Sequence, residues 1–164
     1  MTFRRDSKQK GMQRTRFFLL YPLLCLGGVF LLVSLLPVRV LSIGESGPLR
    51  KVSAGDTFTL RYIHSMYGVE VRENFRIGKE DFTLYHVDSS EAALEYFGIE
   101  RLSPNNVRTI LQAFTIPGGS VGHHELLLNG CRIQLHTLRG ESDPITVRLV
   151  RMSLFMYLMH TLRR

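Results

Sequence analysis

The chain has 164 residues, 21 Lys and Arg against 14 Asp and Glu, 45% apolar residues and two cysteines. That is too apolar for a disordered segment and too poor in cysteine for a disulfide-built scaffold. The net charge of +7 is no nucleic-acid footprint: positions 1–16 hold six basic residues and one acid, leaving 15 basic and 13 acidic residues elsewhere with no basic stripe among aromatics.

Residues 1–16 read as a basic cytoplasmic tail, with Arg4, Arg5, Lys8, Lys10, Arg14 and Arg16 against Asp6. Residues 17–36, FFLLYPLLCLGGVFLLVSLL, are twenty positions without a charge. As a helix they reach about 30 Å, the thickness of a bilayer's hydrocarbon core. The positive-inside rule keeps the tail in the cytoplasm and puts residues after about 38 on the outer side of the membrane. A cleaved signal peptide is the rival reading. Its apolar region is shorter and ends at a small-x-small site, which Leu36-Pro37-Val38 does not offer. Pro22 falls in the first turns, where a missing N–H is tolerated, and Gly27-Gly28 is either a packing face or ordinary membrane-helix composition. Cys25 lies in this run and Cys131 far along the chain, so the two do not pair, and Cys131 is expected to be buried and inert.

Residues 37–56 carry Gly44, Ser46, Gly47, Pro48 and Gly55 and read as a spacer with one short strand over 38–43. A β domain is expected over 57–150. Period-2 alternation puts Phe58, Leu60, Tyr62 and His64 on one strand face, and Val69, Val71, Glu73, Phe75 and Ile77 on the next, joined at Ser65–Gly68. If Met66-Tyr67 centres that loop, His64 faces Val69 and Glu73 faces Leu60. A third strand spans 82–87. Asp88 with Glu91 suggests a capped two-turn helix over 91–97, ended by Gly98. Residues 103–106 read as a turn, 107–114 as a strand and Pro117-Gly118-Gly119 as another turn. Asn129-Gly130 marks a type I′ hairpin between strands 123–128 and 131–138, and 145–150 is the last strand. Six or seven strands and one short helix, without β–α alternation, predict a mainly β fold: a small antiparallel β-sandwich or open barrel behind a single N-terminal transmembrane helix. Residues 151–164 hold MSLFMYLMHTL, too short to span a bilayer. They read as a core-packing helix, an interfacial segment or a docking surface.

The hairpin register would put His123 opposite His136, with Glu125 on the same face. Two imidazoles and a carboxylate there form a zinc or copper site or merely a solvated strand face. His64 and Glu73 stand where alternation assigns apolar residues, which makes them satisfied structural polar groups or partner contacts. In that register the two lie too far apart along the sheet to bond directly; the alternatives are a different register, or Glu73 meeting Arg61, Arg72 or a third strand. Ser65 comes after His64 on the opposite face, which suits no relay. The sequence has no G-x-S-x-G, C-x-x-C, H-E-x-x-H or phosphate loop. No enzyme and no cofactor are expected.

The run Phe58-Thr59-Leu60-Arg61-Tyr62-Ile63-His64-Ser65, then Val71 and Glu73-Asn74-Phe75, resembles the opening motif of a bacterial "domain of unknown function" family. The likeness extends through His124-Glu125-Leu126-Leu127 and Asn129-Gly130. The family consists of small membrane-anchored proteins encoded beside TAXI-type TRAP transporters, and it tends to have a glycine-containing serine stretch where this chain has Ser89-Ser90 and the helix-like Glu91-Ala92-Ala93-Leu94-Glu95-Tyr96. The resemblance implies a non-enzymatic accessory of solute uptake, anchored in membrane lipid. Its outer domain would contact the transporter's membrane or solute-binding subunits. Tyr62, His64, Ser65 and Glu73 are the positions it nominates for partner or ligand contact. The alternative is a cell-envelope sensor that binds a ligand or metal.

Overall fold

A computed structural model describes residues 24–45, 47–99, 107–117, 124–138 and 143–163. The chain divides into two compact units, Arg39–Met152 and the pair of segments Met1–Val38 and Ser153–Arg164.

The larger unit is built from two antiparallel sheets. Its strands are β1 (Pro37–Ile43), β2 (Leu49–Lys51), β3 (Thr57–Ile63), β4 (Glu70–Ile77), β5 (Phe82–Asp88), β6 (Thr109–Leu111), β7 (Ala113–Ile116), β8 (Glu125–Leu128), β9 (Cys131–Gln134) and β10 (Ile145–Ser153). One sheet has the order β2-β1-β10-β7, the other β6-β5-β4-β3-β8-β9. Leu41, Ile43, Ile116, Ile145 and Val147 from the first, with Val52 directly after β2, share one buried cluster with Phe58, Leu60, Phe75, Ile77, Phe82, Leu126 and Leu128 from the second. Two sheets closed on one apolar layer make a sandwich rather than a barrel.

The centre of that layer is aromatic. Phe58 stacks on Phe75 at 4.7 Å, and Phe75 on Phe114 of β7 at 5.3 Å. Phe82 meets all three edge-on, at 5.5–5.8 Å. Edge-to-face and stacked pairs of this kind contribute about 0.5–1.5 kcal/mol each beyond area burial.

Alternation sets the register as expected. Leu60 pairs with Glu73, and the His64 N–H donates to the Val69 carbonyl at 2.8 Å. In the β8–β9 hairpin Leu128 pairs with Cys131 and Leu126 with Ile133. Asn129 and Gly130 both have positive φ, 49° and 77°, as a type I′ turn requires.

Several expectations are corrected. The segment expected as a spacer, 37–56, supplies β1 and β2 and buries Val40, Leu41, Ile43 and Val52. Its glycines serve turns inside the module: Gly44 and Gly55 have φ of 72° and 95°. The strand expected over 107–114 is two strands. It breaks at Gln112, and β6 joins one sheet while β7 joins the other. In β5 the pairing jumps from Asn74–His86 to Phe75–Leu84, leaving Tyr85 as a bulge. The bulge shifts the alternation by one, so Val87 is buried as Phe82 is, although they stand an odd number of positions apart. The strand after Asn129-Gly130 ends at Gln134 and winds into a 3₁₀ turn, Leu135–Leu138, whose Leu135 is buried. Cys131 is exposed, at the hairpin tip.

Helix α2 (Glu91–Tyr96) is present, but its cap is Ser90, whose hydroxyl accepts from the Ala93 N–H. Asp88 remains in β5. Gly98, at φ 69°, ends the helix in the left-handed conformation, and the Ile99 N–H bonds back to the Leu94 carbonyl at 2.9 Å.

In the smaller unit, residues 24–34 form a helix, α1. Positions 17–23 of the expected transmembrane helix and the tail 1–16 lie outside the described residues. Among the described residues no helix is long and apolar enough to cross a membrane. The side chains of α1 are exposed through Leu24, Leu26, Val29, Phe30, Leu31, Leu32 and Val33. Helix α3 (Leu154–Leu162) starts on a Ser153 cap and buries none of its residues.

Candidate functional site

The inner face of β3 and β4 runs out of pure hydrocarbon at one end. Beyond the Phe58–Phe75 stack, the face continues with Tyr62 on β3 and Val71 and Glu73 on β4. Tyr62 pairs with Val71, so Glu73 lies diagonally across the ladder from it. A diagonal neighbour is within reach of a long aromatic side chain, and the Tyr62 hydroxyl donates to Glu73 Oε1 at 2.9 Å. The phenol also stacks on the His124 imidazole, with centroids 5.0 Å apart and planes 15° from parallel.

This end has its own small core. Leu94 of α2 closes on Val71 and Val87, with Tyr62, Leu84, Phe97, Ile99 and Val107 around them. The apolar cover raises the pKa of Glu73, chiefly by desolvation, and the Tyr62 bond offsets part of that rise. The Tyr62 phenol is pushed well above its ordinary value, first by burial, then by the charge and hydrogen bond of Glu73. Tyr62 is therefore a fixed donor at any physiological pH. Glu73 is a carboxyl poised to hold its proton longer than an exposed one.

His64 sits at the adjoining turn, in a ring of aromatics: Tyr67 at 5.4 Å, Phe97 at 5.3 Å and Tyr96 at 5.7 Å between centroids. Its Nδ1 is buried without a hydrogen-bond partner among the described residues. The turn is closed by the Gly68 N–H on the His64 carbonyl at 2.8 Å, with Gly68 at φ 62°. Outside this ring the surface is apolar: Ile63, Met66 (66% exposed), Tyr67 and Tyr96 (57% exposed).

The nominated residues thus divide. Tyr62 and Glu73 are brought into contact, His64 belongs to the neighbouring aromatic ring, and Ser65 is exposed on the turn. Glu73 meets neither Arg61 nor Arg72, because both arginines point to the opposite face. There Arg61 bonds Glu70 through Nε at 2.6 Å and reaches Glu125 at 3.4 Å, while Arg72 bonds Glu70 at 2.5 Å. The bond from Arg61 is the main reason that Glu70 titrates below the usual carboxylate range. The sequence reading missed His124, Tyr67, Tyr96 and Phe97. The first follows from the β3–β8 register, in which Arg61 pairs with Glu125, one position along from Tyr62 and His124; Tyr67 lies on the turn beside His64, and Tyr96 and Phe97 needed the packing of α2.

The suggested metal patch is described only in part. His123 lies outside the described residues. Glu125 is engaged by Arg61 and by Arg132 at 3.6 Å. His136 lies in the 3₁₀ turn that follows β9, rather than in the strand expected there. Among the described residues no group of three or more metal-ligating side chains occurs. No protein-family model, curated protein or solved structure matches the chain.

Proposed function

We propose that the chain is a membrane-anchored, non-enzymatic accessory of a bacterial TRAP-type solute uptake system. The segment 17–36 holds it in the cytoplasmic membrane, the tail 1–16 lies in the cytoplasm, and the β-sandwich stands outside, in contact with a membrane or solute-binding subunit of the transporter. The observation that supports the anchoring is the apolar exposure of α1 on every side: helical residues such as Leu24 (77% exposed) and Phe30 stand exposed among the described residues. A helix apolar on every side is stable in lipid, not in water. The transport assignment rests on the resemblance of the Tyr62–His64–Ser65 and Glu73-Asn74-Phe75 motifs to proteins encoded beside such transporters.

The contact surface is the aromatic end. Its exposed Met66, Tyr67 and Tyr96 have the composition of interface anchors, rigid aromatics and an adaptable methionine. Behind them the Tyr62–Glu73 bond and the α2 cover hold the turn in place. An epitope-tagged chain crosslinked in intact cells tests the reading. Recovery of a transporter subunit, lost in Tyr67→Ala and Tyr96→Ala but kept in an Arg132→Ala control, is the expected result. A tagged chain that retains its fold and membrane location but captures no transporter subunit overturns it.

A further inference from the structure

Helix α3 has its polarity inverted. In a water-soluble amphipathic helix the apolar arc is covered and the polar arc faces out. Here Phe155, Met156, Leu158, Met159 and Leu162 are exposed, with Leu162 at 81%. At 3.6 residues per turn they fill a continuous arc of about 160°. Tyr157 and His160, whose rings carry polar groups, lie with Leu154 on the partly covered side. The exposed polar residue Thr161 closes its own hydroxyl on the Tyr157 and Leu158 carbonyls, at 2.8 and 3.0 Å. Ser34 of α1 does the same to the Phe30 carbonyl at 2.7 Å. Hydroxyls folded back on their own helix are what a solvent without hydrogen-bonding capacity selects.

Position fixes the occupant. The Leu154 N–H donates to the carbonyl of Leu36 at 2.8 Å. Leu36 is the last residue of the uncharged run, so α3 begins where that run ends. Nine residues make a helix of about 14 Å, too short to span a bilayer. From Ile145 onward the sequence has four arginines and no acidic residue, and two of them, Arg163 and Arg164, stand directly after α3. That charge complements anionic headgroups.

We infer that α3 is an interfacial lipid-binding helix. It lies in the headgroup region of the same membrane that holds 17–36, with Phe155, Leu158 and Leu162 inserted and Arg163-Arg164 among phosphates. The inference rests on the anchored reading above and adds a second attachment to it.

The test uses the full chain carrying Cys25→Ser and Cys131→Ser, reconstituted in vesicles of phosphatidylethanolamine and phosphatidylglycerol. A polarity-sensitive fluorophore is placed through Val29→Cys, Leu158→Cys or Asn129→Cys in turn. Bromine atoms are carried either deep in the acyl chains or near the headgroups. Deep quenching of the label at 29, shallow quenching and a blue shift at 158, and neither at 129 are expected. A label at 158 that stays in water while the label at 29 is quenched overturns the assignment of α3 and leaves the anchor standing. A label at 29 that is not quenched overturns both.

Discussion

Replacing Tyr62 by Phe removes one hydroxyl and keeps the ring, which isolates the bond to Glu73. The ring retains its 5.0 Å stack on His124 and its place against Val71, Val87 and Leu94. The loss is a 2.9 Å donor to a largely covered carboxyl. A hydrogen bond to a charged group contributes about 1.5–3 kcal/mol. In a domain of roughly 100 residues each kcal/mol moves the melting temperature by about 4 °C or more. The variant should melt about 6–12 °C lower at pH 7, read by calorimetry on the full chain in detergent. Glu73 supplies the pH dependence. Burial holds its folded-state pKa above the unfolded value, which is about 4.3. Between those two values the native chain binds more protons than the unfolded one, so this group's contribution to stability falls as pH rises through the window. Glu73→Gln removes the titration while keeping an acceptor for the Tyr62 hydroxyl. It should be more stable than the parent at pH 7, and the difference should close below about pH 4. A neutral Tyr62→Phe refutes the role given to the bond. A destabilising Glu73→Gln at pH 7 refutes the claim that the carboxylate is a burden rather than a favourable charge.

Phe75→Ala should cost about 3–5 kcal/mol, because it empties the centre of the four-ring cluster; denaturant melts that show a loss under about 1 kcal/mol would place the core elsewhere. Gly130→Ala should cost about 1–2 kcal/mol through its positive φ alone, since a Cβ there meets nothing within 4 Å. Gly47→Ala should cost more than Gly130→Ala, because its Cβ would overlap the Ile43 carbonyl oxygen; equal melting temperatures would contradict that crowding. In intact spheroplasts Cys131 should react with a membrane-impermeant maleimide and Cys25 should not, both being free thiols; a Cys131 that reacts only after the cells are lysed would invert the proposed topology.

Local rules carried the strand pattern well. Alternation from Phe58 to Ile77 and the dipeptide Asn129-Gly130 each specify a pairing that depends only on neighbours, and the registers came out as that logic requires. Alternation could not carry the departures from it. A bulge at Tyr85 and a break at Gln112 have no glycine or proline to announce them, and only the closure of two sheets on one core selects them. The glycines of 37–56 suggested a loose spacer because turn residues look alike inside and outside a domain; the burial of Val40 and Leu41 depends on β10, more than a hundred positions away. The Tyr62–Glu73 contact was contained in the register, as a diagonal pair. The aromatic ring at His64 was not, since Tyr96 and Phe97 reach it only through the seating of α2.

The middle of the four-stranded sheet is occupied by β1 and β10, the first strand of the module to be synthesised and the last. That sheet has no centre until Ile145–Ser153 leaves the ribosome. Until then Val40, Leu41 and Ile43 stay uncovered, while the β3–β4–β5 meander, whose pairings are local, is free to form. Folding of this module is thus biased toward a late clasp of its two ends. Anything that delays the carboxyl-terminal strand leaves the amino-terminal one paired on its β2 side alone, with a sticky open edge.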